Sequence, residues 1–279
     1  MSQSVISAPS ARGGSSTGGA IKDVWVMTKR NLRHIAREPL QMSDVTIQPV
    51  LFTLLFVYVF GSGIPIPGGS YADFVLAGLL LMNLTTSSMG TAVGLTTDLS
   101  TGVVDRFRTM PMWGPAVLIG RSISDVLTSM MCALIVAVTG LAVGWRPDAG
   151  PAPILAGFAI ALLFAYAMAW LCGCVGLVAK SAETAQSVGF LVLFPLAFVS
   201  NALVPTHGMP GVVQVIADWN PVSAVTAACR QLWHNPNPSA TSSAWPMQHP
   251  VVISIVYSLA LIAICAPIAS VLYKRRTTS

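Results

Sequence analysis

DLSTGVVDRFRTMPMWGPAVLIGRSISD, residues 98–125, is the stretch on which the fold turns. Asp98, Asp105, Arg106, Arg108, Arg121 and Asp125 all stand in it, six of only 25 charged side chains (15 Lys and Arg with 10 Asp and Glu). Long apolar runs lie on both sides. Val103, Val104, Phe107 and Met110 recur at i, i+1, i+4 and i+7, which makes one apolar helical face. Asp105, Arg106, Arg108 and Thr109 occupy the rest. Pro111 ends that helix, and Gly114-Pro115 turns the chain into the next apolar run. Arg121 and Asp125, four apart, are spaced to pair on one helix face. The spacing predicts a short helix parallel to a membrane, at a corner between two crossing helices. On composition alone its charged face either serves a partner or merely fixes topology.

Working outward, the composition names the solvent. Hydrophobic residues make up 54% of the chain and charged residues 9%, against about 25% charged in a soluble domain. Such a chain cannot cover its surface with charge, so lipid surrounds it. A crossing helix needs about 20 mostly apolar residues. Six stretches qualify, at about 45–62, 72–97, 116–143, 153–178, 184–204 and 250–272. The second is the least apolar, with Asn83, Thr85, Thr86, Ser87 and Ser88 at its middle. Pro195 in the fifth, and Gln48 and Pro49 in the first, are tolerated where neighbouring helices satisfy the freed polar groups. The expected fold is an all-α integral membrane protein whose helices pack as a bundle.

With both termini placed inside, every Lys and Arg except Arg146 and Arg230 falls on the cytoplasmic side. That asymmetry is a strong positive-inside signal. It makes the 98–125 stretch a cytoplasmic loop between the second and third spans. Residues 1–20, rich in Ser, Gly and Ala, read as a flexible cytoplasmic tail without a signal peptide. In residues 21–38, Ile21, Val24, Trp25, Leu32, Ile35 and Ala36 share an arc of about 120° beside Lys22, Lys29, Arg30, Arg33 and Arg37. This is a basic amphipathic helix suited to the headgroup plane, stopped by Pro39. The membrane domain then runs over 45–272, and 273–279 is a basic cytoplasmic tail. Between the fifth and sixth spans, GVVQVIADW and VSAVTAACRQLW are too short to cross. They read as re-entrant or interfacial helices on the outer side, broken at Asn220-Pro221.

Several chemistries lack their residues. None of the four lysines belongs to a GxxxxGK[ST] phosphate loop, and HExxH, GxSxG and paired carboxylates are missing. The histidines, His34, His207, His234 and His249, are scattered, and the five cysteines form no CxxC pair. No metal site, no cofactor in this chain and no nucleic-acid partner is expected. Asp73, Arg121, Asp125, Lys180 and Glu183 read as lying near span ends rather than at mid-depth, which disfavours an ion-coupled carrier. An integral membrane lipid-modifying enzyme lacks an obvious acid, base or metal cluster.

The run from Asp98 through Gly102, Asp105, Arg106, Arg108 and Pro111 to Arg121 and Asp125 resembles the cytoplasmic loop of ABC export permeases of the second class. It is most similar to the daunorubicin-resistance-type drug and lipid exporters. Residues 198–232 resemble that family's segment after the fifth span, on Pro205, Met209, Pro210, Asn220, Pro221 and Arg230. The similarity covers about residues 21–276. One departure is that the family often carries two acidic residues before the glycine, where this chain has Asp98 and Ser100.

The resemblance implies that the charged helix is a coupling helix, seated in a groove of a separate ATP-hydrolysing subunit present in two copies. ATP and magnesium would belong to that subunit. It also implies a second permease chain, identical or related, and a plasma or inner membrane location. The substrate would be a hydrophobic or amphipathic small molecule, a drug, polyketide or lipid, leaving between the two permeases under the re-entrant helices. A permease for polysaccharide or lipid-linked glycan is the nearest alternative. Candidate substrate-facing residues are Asn83, Thr86 and Ser87 on the second span and Phe194, Phe198 and Asn201 on the fifth. Ser and Thr there serve equally as interhelical glue. Gly90 and Gly94 form a GxxxG pattern that permits close helix contact.

Overall fold

A computed structural model describes residues 25, 26, 28, 29, 39–61, 63–101 and 116–278 of the chain. Ten α-helices with the ranges below, two 3-10 turns and the loops between them make up most of these residues, and no strand occurs among them. Helix α1, Pro39–Leu55, continues into a wider π-helical turn at Phe56–Phe60. Helices α2, Tyr71–Ser87, and α3, Met89–Ser100, form one rod with a break at Ser88. The others are α4 (Ala116–Ala142), α5 (Pro151–Val178), α6 (Ala182–Phe198), α7 (Gly211–Trp219), α8 (Pro221–Trp233), α9 (Trp245–Gln248) and α10 (Pro250–Thr278).

Four helical stretches are long and apolar enough to cross a membrane: Tyr71–Ser100, Gly120–Ala142, Pro151–Val178 and Pro250–Tyr273. They match the second, third, fourth and sixth expected spans. The first and fifth are shorter apolar helices, Val45–Phe60 and Ala182–Phe198, each under 18 residues. The reasons are local. Polar residues occupy the start of α1, with Ser43 and Asp44 ahead of its apolar part. The fifth stretch, read from sequence to residue 204, leaves the helix at Val199. Residues 199–204 instead make a turn that the rest of the bundle holds.

The least apolar span is the most enclosed. Tyr71 and every residue from Phe74 to Thr85 of α2 are buried. Leu76, Leu80, Leu81 and Leu84 join Phe164 and Met168 of α5 and Val225 and Cys229 of α8 in the main core. The polar middle of α2 therefore faces protein: Asn83 and Thr86 donate to carbonyls of their own helix, while the buried Thr85 hydroxyl has no partner among the described residues. Ser88 donates to Leu84 O at 3.0 Å and to Ala165 O at 3.4 Å, a hydroxyl drawn across to α5 where the rod breaks. Helix α10 lies mainly along α5 and turns Val252, Val256, Leu259, Ile264 and Val271 outward. The five cysteines are free thiols.

The break at Asn220-Pro221 falls where the sequence places it. Asn220 caps α8 by accepting from Val222 N at 2.8 Å, and Pro221 fills the first helical position, where no N–H is needed. The same side chain donates to Leu196 O and Val199 O at 2.8 and 2.6 Å, tying α8 to the end of α6. Helix α8 is buried along nearly its whole length, whereas α7 turns Val212, Val215, Ile216 and Trp219 outward. At its far end Trp233 donates to Ile154 O at 3.2 Å and packs edge-on to Trp145, with ring centroids 5.2 Å apart.

Candidate functional site

Two arginines grip the α2–α3 rod, one near each end. The first is Arg121, in the second turn of α4. Its Nη1 lies 3.3 Å from Asp98 Oδ2, and its Nη2 donates to Gly90 O at 2.9 Å. Gly94 lies between these two partners on the same stripe of α3. A Cβ at Gly94 would occupy the guanidinium's place. The GxxxG pattern is thus a seat for an arginine. Asp125, one turn along α4, accepts from Thr91 Oγ1 at 2.9 Å. Spacing alone pairs Arg121 with Asp125; here each instead reaches across to α3. Gly94 opens the notch that makes the longer reach possible. A cleft of about 30 Å³ beside them is lined by Thr91, Arg121, Asp125 and Trp170. Since about 10–15 Å³ holds one water, this cleft suits water and excludes a drug-sized molecule.

The same end of the bundle is fastened further. Thr28, buried, donates to Gly120 O at 3.2 Å, and Ser124 donates back to Thr28 O at 3.3 Å. So a residue ahead of the first span is bound to the start of α4. Thr96 donates to Gly176 O at 2.8 Å, joining α3 to α5. Arg276 Nη2 reaches the carbonyls of Val178 and Ala179 at 3.0 and 3.1 Å and caps the end of α5. Gly102, Asp105, Arg106, Arg108 and Pro111, the expected coupling helix, lie outside the described residues. So does most of the amphipathic segment 21–38, apart from Trp25, Val26, Thr28 and Lys29.

The second arginine is Arg230, on α8. The positive-inside count places it with Arg146 as an outer charge, yet its side chain is 0% exposed. Its Nε donates to Phe74 O at 2.9 Å, Nη1 to Asn201 O at 3.1 Å and Nη2 to Ala202 O at 3.0 Å. The guanidinium lies over the Phe74 ring, 3.7 Å from its centroid, a cation–π contact. Among the described residues no carboxylate lies within 4.0 Å of it. Three carbonyl dipoles and a ring face stand in for a counter-ion. The turn after α6 is pinned on its other side by Ser223 Oγ, which accepts from Asn201 N at 2.9 Å. Gly78 on α2 lies against the Ala202 backbone, where a Cβ would collide with the carbonyl. Gly78→Ala is expected to cost about 1–3 kcal/mol of stability, as overpacking of a dense core does, read as a lower thermal midpoint in detergent.

The remaining candidates divide by exposure. Phe194 and Phe198 are 43% and 44% exposed and stack, with centroids 4.3 Å apart, and Phe190 extends the ladder. Asn83 is buried and donates to Leu79 O at 2.8 Å in its own helix, and Thr86 does likewise to Met82 O at 2.9 Å. Ser87 is half-buried at the end of α2. Asn201 is fully enclosed, with Nδ2 donating to Ser239 Oγ at 3.1 Å and its carbonyl held by Arg230. Asp218 is a site the sequence reading passes over. This buried carboxylate accepts from Thr206 at 2.9 Å and Ser242 at 2.8 Å and gathers the loops around α7. Its one signal is a single acid in a nine-residue helix whose only other polar side chain is Gln214. Among the described residues no group of three His, Cys, Asp or Glu could hold a metal ion.

Comparison with known proteins fits these observations. Residues 22–233 match the family described as ABC-2 type transporter, a span that takes in both arginine sites. Daunorubicin resistance ABC transporter permease protein DrrB1 of Streptomyces coeruleorubidus is 32% identical over 238 residues, 85% of this chain and 81% of that one. Probable doxorubicin resistance ABC transporter permease protein DrrC of Mycobacterium tuberculosis is 22% identical over 280 residues, 99% of this chain and 98% of its own. Putative transport permease ycf38 of Porphyra purpurea is 23% identical over 228 residues, 80% of this chain and 78% of its own.

Proposed function

Because the chain belongs to the ABC-2 type transporter family, we propose that it is the transmembrane permease subunit of an ATP-driven exporter of hydrophobic or amphipathic small molecules. The observation that carries this reading is the similarity, over most of both chains, to a permease named for daunorubicin resistance. ATP and magnesium are used by a separate ABC ATPase subunit, two copies of which sit under two permease chains in the cell membrane. The positive-inside pattern supports cytoplasmic termini and six crossings. The four long helices supply four, and Val45–Phe60 and Ala182–Phe198 supply the first and fifth. Neither short helix matches a core of about 30 Å unaided, so the bilayer thins or flanking residues reach to the interface beside them.

In this reading, residues 102–111 form the coupling helix. Arg106 and Arg108 face the ATPase subunit, with Asp105 beside them and Pro111 fixing the corner. The exposed phenylalanine ladder on α6 supports a substrate path along Phe194 and Phe198, since flat aromatic faces suit a flat apolar molecule. Asn83, Thr86 and Asn201 join that path only when their present hydrogen bonds open, and Ser87 stands beside them on α2. The test is to purify the tagged chain in mild detergent and identify what accompanies it. A soluble subunit with a phosphate loop, in equal copy number, is the expected companion. Its repeated absence, with no ATP-dependent daunorubicin movement in vesicles, would overturn the proposal.

A further inference from the structure

The 102–115 segment stands on two feet. These are the end of α3 and the start of α4, the described helix ends on either side of it. Those two feet are joined by the Arg121 side chain. Gly90, Gly94 and Asp98 stand at i, i+4 and i+8, so they form one stripe along α3. The guanidinium lies on that stripe, with Asp98 on one side, Gly90 O on the other and the bare Cα of Gly94 beneath. The Asp125–Thr91 bond adds a second rung one turn further in. The α4 foot is also tied to Thr28.

The exposure of this pair decides between two roles. A residue that docks on a partner presents its charge outward. Arg121 and Asp98 are only 16% and 20% exposed, and their charged atoms turn toward each other between the helices. Arginine suits the task because its flat fork reaches a carboxylate and a carbonyl at once. A lysine ammonium is a single point and does not bridge both in the same way.

Resting on the permease reading above, we propose that Arg121 and Asp98 are positioning residues. They form a latch that clamps the two feet of the coupling segment, and neither docks on the ATPase subunit. Closure of that subunit pushes on the segment. With the latch shut, α3 and α4 move as one body, and the Thr96–Gly176 bond carries the movement into α5. With the latch open, the feet slide past each other, and the push is spent on their separation rather than on the transport path.

Three variants test this in the complete complex of permease and ATPase, reconstituted in vesicles with daunorubicin as the transport probe. Arg121→Gln and Asp98→Asn remove one half of the latch each. Gly94→Ala fills the seat and evicts the guanidinium without changing any charge. Two quantities are read: the ATPase subunit retained per permease on purification, and the drug moved per ATP hydrolysed. The latch predicts that all three variants keep the ATPase subunit at the wild-type ratio. It also predicts that drug moved per ATP falls about tenfold in each, equivalent to about 1.4 kcal/mol. Arg121→Lys, which keeps the charge but not the fork, is expected to fall with them. It also carries the test if the glutamine variant fails to fold.

Loss of the ATPase subunit from Arg121→Gln or Asp98→Asn would make these residues docking contacts and overturn the latch. Unchanged drug per ATP in Gly94→Ala and Arg121→Lys would overturn it as well. A wild-type chain that neither holds an ATPase subunit nor moves drug would instead overturn the permease reading, and the latch with it. The two failures are therefore distinguishable in the same preparation.

Discussion

Arg230→Met is expected to remove folded protein from the membrane fraction. Methionine fills much of the same volume but supplies no donor. The carbonyls of Phe74, Asn201 and Ala202 would each lose the donor that now holds them. Phe74 O keeps the N–H of its own helix, but Asn201 O and Ala202 O are left unpaired. A buried group left unpaired costs about 1–3 kcal/mol, so these two cost at least about 2 kcal/mol. Total stabilities of about 5–15 kcal/mol leave little room for such a loss. The damage would also be structural, because the guanidinium joins α8, α2 and the turn after α6, segments far apart in sequence. Arg230→Lys should fare only slightly better, since one ammonium does not span three carbonyls on two segments. Size-exclusion profiles in mild detergent, with the thermal midpoint, read the result. A sharp wild-type peak and midpoint for Arg230→Met would show that the clamp is dispensable.

The double reversal Arg106→Glu/Arg108→Glu should give the opposite phenotype, a folded permease that exports nothing. Both arginines stand on the polar side of the expected coupling helix, away from Val103, Val104, Phe107 and Met110. Insertion depends on the spans, so the protein should accumulate normally. Docking should not survive. Breaking one buried interfacial charge pair costs about 2–5 kcal/mol, and reversal adds repulsion. Loss of ATP-dependent drug movement by at least about a hundredfold, about 3 kcal/mol, follows. The measurement is drug accumulation in vesicles, beside the amount of ATPase subunit retained. Normal export by the double variant would show that the charged helix serves topology alone.

What the sequence discloses here is what short-range rules govern. The α7–α8 break is visible because Asn220 caps and Pro221 starts a helix within two adjacent residues. The four long helices are visible because each carries a predominantly apolar stretch long enough to cross a membrane. The role of Arg230 is not, since its partners lie as much as 156 residues away and are backbone carbonyls, which carry no side-chain signature. The Arg121–Asp125 spacing misleads for a related reason. Pairing along one helix is the local rule, and the missing Cβ of Gly94 on a neighbouring helix overrides it. The end of α6 at Phe198 is hidden in the sequence because residues 199–204 are apolar enough to continue a span. The polar middle of the second span left the opposite trace: Asn83, Thr85 and Ser88 sit where neighbouring protein replaces lipid, and the sequence shows the polarity without the neighbours.

The contrast between α2 and α10 bears on how the chain is made. Of the most apolar window in Pro250–Tyr273, 22% is buried; for Tyr71–Ser100 the figure is 78%. A helix entering the bilayer alone meets lipid on every side, and polar residues near its centre weigh against release from the insertion machinery. The α10 segment can leave that machinery by itself. The α2–α3 rod, with Asn83, Thr85 and Ser88 at its middle, gains its full shelter only once α5 and α8 have been synthesised. The ribosome will have passed residue 230 before the clamp on Phe74 can close. Until then the rod is a nascent helix waiting for its neighbours, and that interval is when a membrane chaperone or a quality-control protease would meet this protein.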